Sequence, residues 1–543
     1  MRAQRSLVLA GFLVVFIFGF WVAGFVRATG TSSYDDWNLL ASVFTQVRDN
    51  YVEPVNDDKL LQAAIRGMLR SLDPHSQFFD KSDYSDFQTT THGSFGGIGS
   101  QIGMRNNFPT VISPIEGTPA YLLGMQTGDR IVIIEGKNTE GWTIDQVIKE
   151  LRGPKGTKVA ISVAREGEDK VLKYTITRDI IQVKSVPYAF VLPGGYGYVR
   201  ITTFSETTAE ELQAALNSFA KDDIKGLVVD LRWNPGGLLQ QAVETSQMFV
   251  PKGGEIVETR ARAPRPAQPY FSQNLHPYSY PMVVLVNGGS ASASEIFAGA
   301  IQDHDLGLVV GTLSYGKGSV QTLIPLSGGN ALKLTTAKWY TPSGRCIHKD
   351  EGERDLVQAD DVESIGDEEG DATDDNGAGS PDTKAKADKP KYKTLGRHRI
   401  VYGGGGITPD VDVKPDKLTS FESKIEGRGV FFNFAVKYAA QHKDVGGTPE
   451  ITTAMLDVLV ETLRTEKIDF TNDEVTRDRD YLARGLRREF ARKAGGDVAA
   501  FKVQMEGDNQ LASAVDLLSK YKTTARLLDY AAAPHTAAAE ATR

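Results

Sequence analysis

Cysteine is almost absent from this 543-residue chain, and no long basic stretch occurs in it. The single cysteine, Cys346, has no second cysteine with which to form an internal disulfide. It lies where the pattern predicts strand and turn, so we expect a buried thiol and not a nucleophile. Lysine and arginine number 61 against 69 aspartates and glutamates, a formal net charge of -8. This balance argues against a nucleic-acid partner.

Long apolar runs are scarce as well, because one occupies residues 7–26 and no second run of that length follows. Its length is close to the roughly 20 residues that a helix needs to cross a bilayer. Arg2 and Arg5 precede it, which places the N-terminus in the cytoplasm. We see no clear A-x-A cleavage site, so we predict an uncleaved signal anchor over residues 1–30. A signal peptide that is cleaved on export is the alternative.

Hydrophobic periodicity divides the rest of the chain into parts of different character. Strand and helix patterns alternate in the longest part, which predicts an α/β core whose sheet is covered on both faces. One acidic segment has too few large apolar residues to form a core, and we predict that it is disordered. The predicted parts are an N-terminal helical region (33–91), a compact β-rich module (92–180), the α/β core (181–348 and 395–415), the acidic insertion (349–394) and a C-terminal helical region (416–543).

A partial phosphate-binding pattern, G-x-x-x-x-G-K, runs from Gly311 to Gly316 and Lys317. Such a loop needs a hydroxyl residue next and a helix after it. Gly318 comes next, and "SVQTLIPL" predicts a strand, so a nucleotide site fails on both counts. Residues four apart on a strand share a face, so Lys317 and Gln321 point the same way. A lysine withdrawn from water can act as a general base, and a solvated surface lysine is the alternative.

Three serines alternate with alanine where a buried strand passes through a glycine turn into a helix. Ser290, Ser292 and Ser294 occupy this turn, where backbone N–H groups could stabilise an oxyanion. Ser292 and Glu295 also match the S-x-x-E capping box, which would explain one serine without catalysis. The G-x-S-x-G pattern is absent, and His304 stands in no evident motif. A serine paired with a lysine is therefore the remaining nucleophile and base.

These segments together resemble the carboxyl-terminal processing proteases, also called tail-specific proteases, of peptidase family S41. The resemblance covers roughly residues 35–415. It implies an α/β protease core of crotonase/ClpP-like fold with an inserted PDZ domain at 92–180, between helical N-terminal and C-terminal regions. The motifs are "SLDPHS" (71–76), "GSFGGIG" (93–99), "LRGPKGT" (151–157), "DLRWNPGG" (230–237), "NGGSASASEIFAGAIQD" (287–303), "YGKGSVQT" (315–322), "WYTPSGR" (339–345) and "GITPDVDV" (406–413).

Catalytic roles follow from this resemblance, residue by residue. The implied catalytic residues are Ser292 as nucleophile, Lys317 as general base and Gln321 as the residue that orients the lysine. The implied oxyanion hole is the backbone N–H of Ala293 together with that of Gly236 or Gly237, which the sequence does not distinguish. No metal or cofactor is implied.

The glycine-rich loop of the β-rich module is implied to bind the carboxylate of a protein tail. Gly97, Ile98 and Gly99 are central to it, and a glycine loop can present successive N–H groups to a carboxylate. Arg152 is a candidate for coupling the PDZ domain to the core, with a plain surface arginine as the alternative. Trp233 departs from the family, which more often has a small polar residue there, and it is expected to alter the rim of the oxyanion loop.

The expected function is that of a periplasmic serine endopeptidase anchored in the bacterial inner membrane. It would recognise apolar C-terminal tails of proteins through the PDZ domain and cut near that end. The helical ends are expected to form a homodimer or a higher oligomer, and the resemblance adds a helical-repeat lipoprotein adaptor as a possible partner. The competing hypothesis is a PDZ-bearing scaffold or chaperone built on an inactive protease core.

Overall fold

The computed structural model describes residues 32–349, 389–442 and 449–532. The predicted signal anchor and most of the acidic insertion lie outside these residues. The described chain forms two compact units, one made of residues up to Ser82 with Gln321–Thr335, the other of the remaining residues. Within the described ranges, none of the helices is both long enough and apolar enough to cross a membrane.

Helices and strands alternate through most of the described chain, and the elements described after residue 419 are all helices. The helices are α1 (Ser32–Asn50), α2 (Asp57–Arg70), α3 (Lys81–His92), α4 (Pro119–Leu122), α5 (Ile144–Leu151), α6 (Thr208–Lys221), α7 (Leu239–Ser246), α8 (Ala293–Asp303), α9 (Ser420–Gly427), α10 (Val430–Gln441), α11 (Thr453–Thr465), α12 (Asn472–Arg477), α13 (Arg479–Met505), α14 (Asn509–Tyr521) and α15 (Thr524–Ala532). The strands are β1 (Gln77–Phe79), β2 (Ser94–Gly97), β3 (Ser100–Arg105), β4 (Phe108–Pro114), β5 (Arg130–Ile134), β6 (Lys137–Asn138), β7 (Lys158–Ala164), β8 (Leu172–Thr177), β9 (Asp179–Gln182), β10 (Tyr188–Leu192), β11 (Tyr196–Arg200), β12 (Leu227–Asp230), β13 (Glu255–Ala261), β14 (Gln268–Phe271), β15 (Met282–Val286), β16 (Leu308–Gly311), β17 (Ser319–Pro325), β18 (Ala331–Tyr340), β19 (Lys391–Lys393), β20 (Ile400–Tyr402) and β21 (Val411–Asp412).

The first unit contains α1, α2 and β1. Asn56 caps α2, because its side-chain oxygen accepts the N–H of Lys59 at 3.0 Å. β1 pairs antiparallel with the start of β18, where Phe78 lies opposite Leu332. Trp37 on α1 is 64% exposed, so the packing of the first unit leaves apolar surface of this helix uncovered.

The core of the second unit is a six-stranded sheet in the order β10-β11-β12-β15-β16-β21. β10 and β11 are antiparallel, and every other neighbouring pair is parallel. Helices α6, α7 and α8 lie in the connections between the parallel strands. This confirms the predicted α/β class, since parallel strands need crossover connections and these are usually helical.

Both faces of this sheet are buried, as the near-continuous apolar strands predict. Side chains alternate along β12, so Leu227 and Val229 pack with α6, α7 and α8, while Val228 packs on the other face. The other face is covered by the C-terminal helices α14 and α15, through residues such as Leu511, Leu517, Leu518, Leu527 and Leu528.

The β-rich module forms a separate antiparallel sheet in the order β3-β4-β5-β7-β8, with β6 paired to β5. β2 and β9 pair beside it as a two-stranded sheet. Helix α5 begins at a capping box of Thr143 and Gln146, and Val147 and Leu151 carry its buried face into the module's core. β3 forms one edge of the five-strand path, directly after the glycine-rich loop.

Candidate active site

Three loops of the second unit follow the carboxyl ends of neighbouring parallel strands. The loop after β12 carries Asn234, Gly236 and Gly237, the loop after β15 carries Ser292, and the chain after β16 carries Lys317. Carboxyl ends of adjacent parallel strands meet at one edge of a sheet, which is where open α/β sheets bind ligands. The fold therefore gathers residues from three distant segments at one edge.

The serine turn is fixed by two of its three serines. The Ser290 hydroxyl donates to the carbonyl of Leu231 at 2.8 Å, and the Ser294 hydroxyl donates to the carbonyl of Asn234 at 3.0 Å. Both side chains are fully buried and bind the loop after β12. Ser292, between them, is only half-buried and has φ 54° and ψ -111°. Such a conformation costs a non-glycine residue of order 1–3 kcal/mol and persists only where the surroundings impose it.

Asn234 is fully buried, and its side chain holds the loop after β12 in place through two hydrogen bonds. Its amide nitrogen donates to the carbonyl of Ile201 at 2.8 Å, and its amide oxygen accepts the N–H of Gly236 at 2.8 Å. Gly236 has φ 94°, and a Cβ there would lie 2.8 Å from the Ser292 Cβ and 2.9 Å from the Ala293 nitrogen. A side chain at this position would collide with the serine turn, so the close approach requires glycine.

The two glycines differ in what their N–H groups face. The Phe204 N–H donates to the Gly236 carbonyl at 3.0 Å, and the Leu238 N–H donates to the Phe204 carbonyl at 2.8 Å. These two bonds make a parallel β-bridge between Phe204 and Gly237, in which the N–H of Gly237 points away from Phe204. The Gly236 N–H is taken by Asn234, whereas those of Gly237 and Ala293 have no acceptor among the residues that the structure describes.

Glu295 joins the serine turn to the lysine segment. One carboxylate oxygen accepts the N–H of Ser292 at 2.7 Å and the N–H of Lys317 at 2.9 Å. The other accepts the hydroxyl of Ser314 and the N–H of Gly316, both at 2.6 Å. The capping box correctly predicts the bond to Ser292, but it does not predict the three donors from the lysine segment. No sequence pattern indicates that Glu295 also binds the lysine segment.

The environment of Glu295 also sets its acidity. Burial raises the pKa of its carboxyl from the ordinary 4.5 to about 7, and the four hydrogen bonds oppose this rise. The side chain is fully buried. A proton on either oxygen would displace one of the four donors, so only the ionised form accepts all four hydrogen bonds.

The predicted strand follows the lysine segment, since the next element after Lys317 is β17, which begins at Ser319. This removes the phosphate-loop interpretation. Lys317 is half-buried, and its carbonyl accepts the indole N–H of Trp339 at 3.1 Å. Gln321 belongs to the first unit, where its amide nitrogen donates to the Thr335 hydroxyl at 3.3 Å.

The predicted tail-binding loop lies in the β-rich module. The carbonyls of Ile98 and Gly99 accept the N–H groups of Ala120 at 2.9 Å and Ile115 at 3.0 Å. The N–H groups of Ile98 and Gly99 themselves have no acceptor within the described parts of the chain. Gly97 ends β2 ahead of them, so the loop holds its carbonyls inward and leaves two consecutive N–H groups for a ligand.

Arg152 and Trp233 occupy different surroundings. Arg152 lies 4.7 Å above the ring of Phe95 and 3.4 Å from a carboxylate oxygen of Asp86, so it bridges β2 and α3. Trp233 has φ 60°, is 69% exposed, and donates its N–H to the side chain of Asn287 at 2.9 Å. A Cβ on Gly289 would lie 2.6 Å from the indole, so Trp233 rests on the serine turn.

Comparison with known proteins identifies the family of this chain. Three family models match: peptidase family S41 over residues 195–358, the PDZ domain over 110–165, and the N-terminal domain of the activating protease CtpB over 26–83. The carboxy-terminal-processing protease of Bartonella bacilliformis is 46% identical over 322 residues, which cover 58% of this chain and 73% of that protein. The chain belongs to peptidase family S41.

Two further proteins are similar to this chain. The carboxy-terminal processing protease CtpA of Bacillus subtilis is 38% identical over 323 residues, covering 59% of this chain and 68% of that protein. The solved photosystem II D1 C-terminal processing protease is 30% identical, covers 57% of this chain and 84% of that chain, and has a TM-score of 0.35. This S41 member is therefore a serine-type peptidase of the carboxy-terminal processing kind with a PDZ domain, as the motifs predict.

Proposed function

We propose that this protein cuts peptide bonds near the C-termini of exported proteins with a serine–lysine dyad. Ser292 is the nucleophile, Lys317 the general base, and Gln321 the residue that orients the lysine. The observation that carries the proposal is the Glu295 carboxylate oxygen that accepts the N–H groups of both Ser292 and Lys317. A shared acceptor fixes the backbones of nucleophile and base relative to each other, which is the preorganisation that nucleophilic catalysis needs.

Each step uses groups of this chain. The Ser292 oxygen attacks the peptide carbonyl while its proton moves to the neutral amine of Lys317. The N–H groups of Ala293 and Gly237 bind the oxyanion, and we choose Gly237 over Gly236 because the Gly236 N–H is taken by Asn234. The tetrahedral intermediate then collapses as Lys317 protonates the leaving amine. Water hydrolyses the acyl-enzyme, giving a proton to Lys317 that returns to Ser292.

Tail recognition is assigned to the PDZ domain. The N–H groups of Ile98 and Gly99 would bind the terminal carboxylate, and the tail would extend along β3, whose outer edge lies free in the five-strand path. Gly97 ends β2 directly before these two residues. Arg152 is proposed to pass tail binding to the core, since it contacts Phe95 at the foot of the loop and Asp86 on α3.

Location and assembly are extensions of the same proposal. The apolar run at 7–26 after two arginines supports a bacterial protein held in the inner membrane with its catalytic part in the periplasm. Exposed Trp37 and Leu39 on α1 support a homodimer or higher oligomer. A helical-repeat lipoprotein adaptor rests on the family resemblance alone.

The test uses the full chain in detergent with an unstructured protein that ends in an apolar tail. We expect truncation of that protein near its C-terminus by the wild type, and none by Ser292→Ala or Lys317→Ala. Binding of the tail, measured by fluorescence anisotropy, should persist in both variants. Cleavage by Ser292→Ala would overturn the dyad. Tail binding by a wild type that cleaves no tail would favour the scaffold hypothesis instead.

A further inference from the structure

A hydrogen-bond chain in the first unit runs from the "SLDPHS" turn to Gln321. The carboxylate of Asp73 accepts the Thr335 hydroxyl at 3.2 Å, and the Thr335 hydroxyl accepts the amide nitrogen of Gln321 at 3.3 Å. A second bond joins Thr335 to the same turn, because the Thr335 N–H donates to the Ser76 hydroxyl at 3.1 Å. Gln321 and Thr335 are 14 residues apart, and Asp73 is 262 residues from Thr335.

The turn holds Asp73 as an acceptor. Its carboxylate also accepts the N–H groups of His75 at 2.8 Å and Ser76 at 2.9 Å, and the Ser76 hydroxyl at 2.7 Å. Burial would raise the pKa of Asp73, but these hydrogen bonds outweigh it and the pKa is lowered. Asp73 is therefore ionised at neutral pH and cannot donate.

The direction of the whole chain follows from this one charge. A hydroxyl has a single proton, and Thr335 must give it to Asp73 because a carboxylate only accepts. The Thr335 oxygen is then left as an acceptor, so the part of Gln321 that faces it must be the NH2 group. The amide oxygen of Gln321 consequently points the other way, and it is the only group of that amide able to accept from an amine.

We propose that Asp73 and Thr335 are positioning residues that fix the amide orientation of Gln321. This rests on the proposed function, in which Gln321 orients Lys317 by accepting from its amine. The inverted amide would offer two N–H donors to that amine and could accept nothing from it. The N-terminal "SLDPHS" turn thus contributes to catalysis without supplying a residue that touches the substrate.

The first test is a double-mutant cycle on the full chain, measured as kcat and KM for tail cleavage. Thr335→Val keeps the shape of the side chain and removes the hydroxyl, so we expect kcat to fall by roughly tenfold, the factor of one ordinary hydrogen bond, with KM within about twofold. Gln321→Ala should lower kcat as well. Adding Thr335→Val to Gln321→Ala should then cost nothing more, because the residue through which Thr335 acts is gone.

Conservative variants separate positioning from folding. Thr335→Ser keeps the hydroxyl and should restore most of the kcat, while Asp73→Asn, which can donate to Thr335 and let the amide invert, should resemble Thr335→Val. Thr465→Val makes the same atomic change on the exposed side of α11, where the hydroxyl donates only to the Glu461 carbonyl, and should leave kcat unchanged.

Two failures are distinguishable. If Gln321→Ala keeps the wild-type kcat, the proposed role of Gln321 is wrong. If Gln321→Ala is slow but Thr335→Val is either harmless or fully additive with it, the positioning chain is wrong and the dyad stands. A Thr335→Ser variant as slow as Thr335→Val, at an unchanged melting temperature, would also overturn the chain.

Discussion

Glu295 shows how one side chain joins the serine turn to the lysine segment. Its carboxylate receives donors from residues 292, 314, 316 and 317, and it does so in a fully buried place. The S-x-x-E spacing identifies the local half of this arrangement, because a cap depends on residues three apart. The distant half depends on the folding of the chain after β16 over the start of α8, which no spacing encodes.

The raised pKa of Glu295 gives a testable pH dependence. An acid whose pKa rises on folding, here from 4.5 to about 7, holds its proton more tightly in the folded state. Its stabilising contribution is complete below about pH 4.5 and is lost as the pH rises through 7. Glu295→Gln removes this titration. The free energy of unfolding that the amide itself costs is the same at each pH. We therefore expect the melting temperature of the wild type, relative to the variant, to fall between pH 5 and pH 8.

Scanning fluorimetry of both proteins at constant ionic strength would measure this difference. Titration of all other groups cancels in the comparison, since the two chains share them. Parallel melting curves against pH would mean that Glu295 keeps an ordinary acidity despite its burial.

At the scale of elements, strands and helices are the most predictable part of this molecule. The continuous apolar runs predict β12 and β15, and the segment "SVQTLIPL" predicts the strand that follows Lys317 and Gly318. Local patterns determine these elements, so one sequence suffices. The proposed choice of Gly237 over Gly236 for the oxyanion hole is not predictable from the sequence, because it depends on the side chain of Asn234 and on pairing with Phe204.

The loop proposed to bind the tail allows a prediction about a single glycine. Gly99 has φ 77°, and a Cβ there would overlap the side chain of Thr118, so Gly99→Ala must displace the loop. We expect this variant to lose at least tenfold in affinity for an apolar C-terminal peptide, a change of about 1.4 kcal/mol. Fluorescence anisotropy with a labelled peptide measures it. Gly136→Ala is the matched control, since Gly136 has φ 78° with open space around it.

Both substitutions place alanine at a positive φ, but only the one at Gly99 brings a Cβ into the side chain of Thr118. Equal affinities for Gly99→Ala and Gly136→Ala would mean that the loop does not bind the tail, and the carboxylate site would have to be sought elsewhere in the PDZ domain.

At the scale of the whole molecule, the C-terminal helices complete the core of the second unit. Residues 416–543 are predicted as a C-terminal helical region, and α14 and α15 within it cover one face of the main sheet. Amphipathic periodicity predicts that these helices exist, but it does not say which apolar surface each of them covers. Only the long-range packing of Val228 and its neighbours against Leu518 reveals the answer.

A buried ion pair secures this packing and yields the last prediction. Arg232 contacts Asp230 at 2.7 Å at the end of β12 and Asp508 at 2.6 Å just before α14, and it is 8% exposed. Arg232→Met would leave the fully buried Asp230 with Arg200, 4.0 Å away, in place of its close cation, and breaking a buried pair costs about 3–5 kcal/mol. We expect a clearly lower melting temperature and faster proteolysis next to α14. Arg487→Met, which breaks an exposed pair with Glu506, should cost only about 0–1 kcal/mol. If the two variants melted together, the Arg232 pair would not be what holds α14 on the sheet, and apolar burial alone would have to account for it.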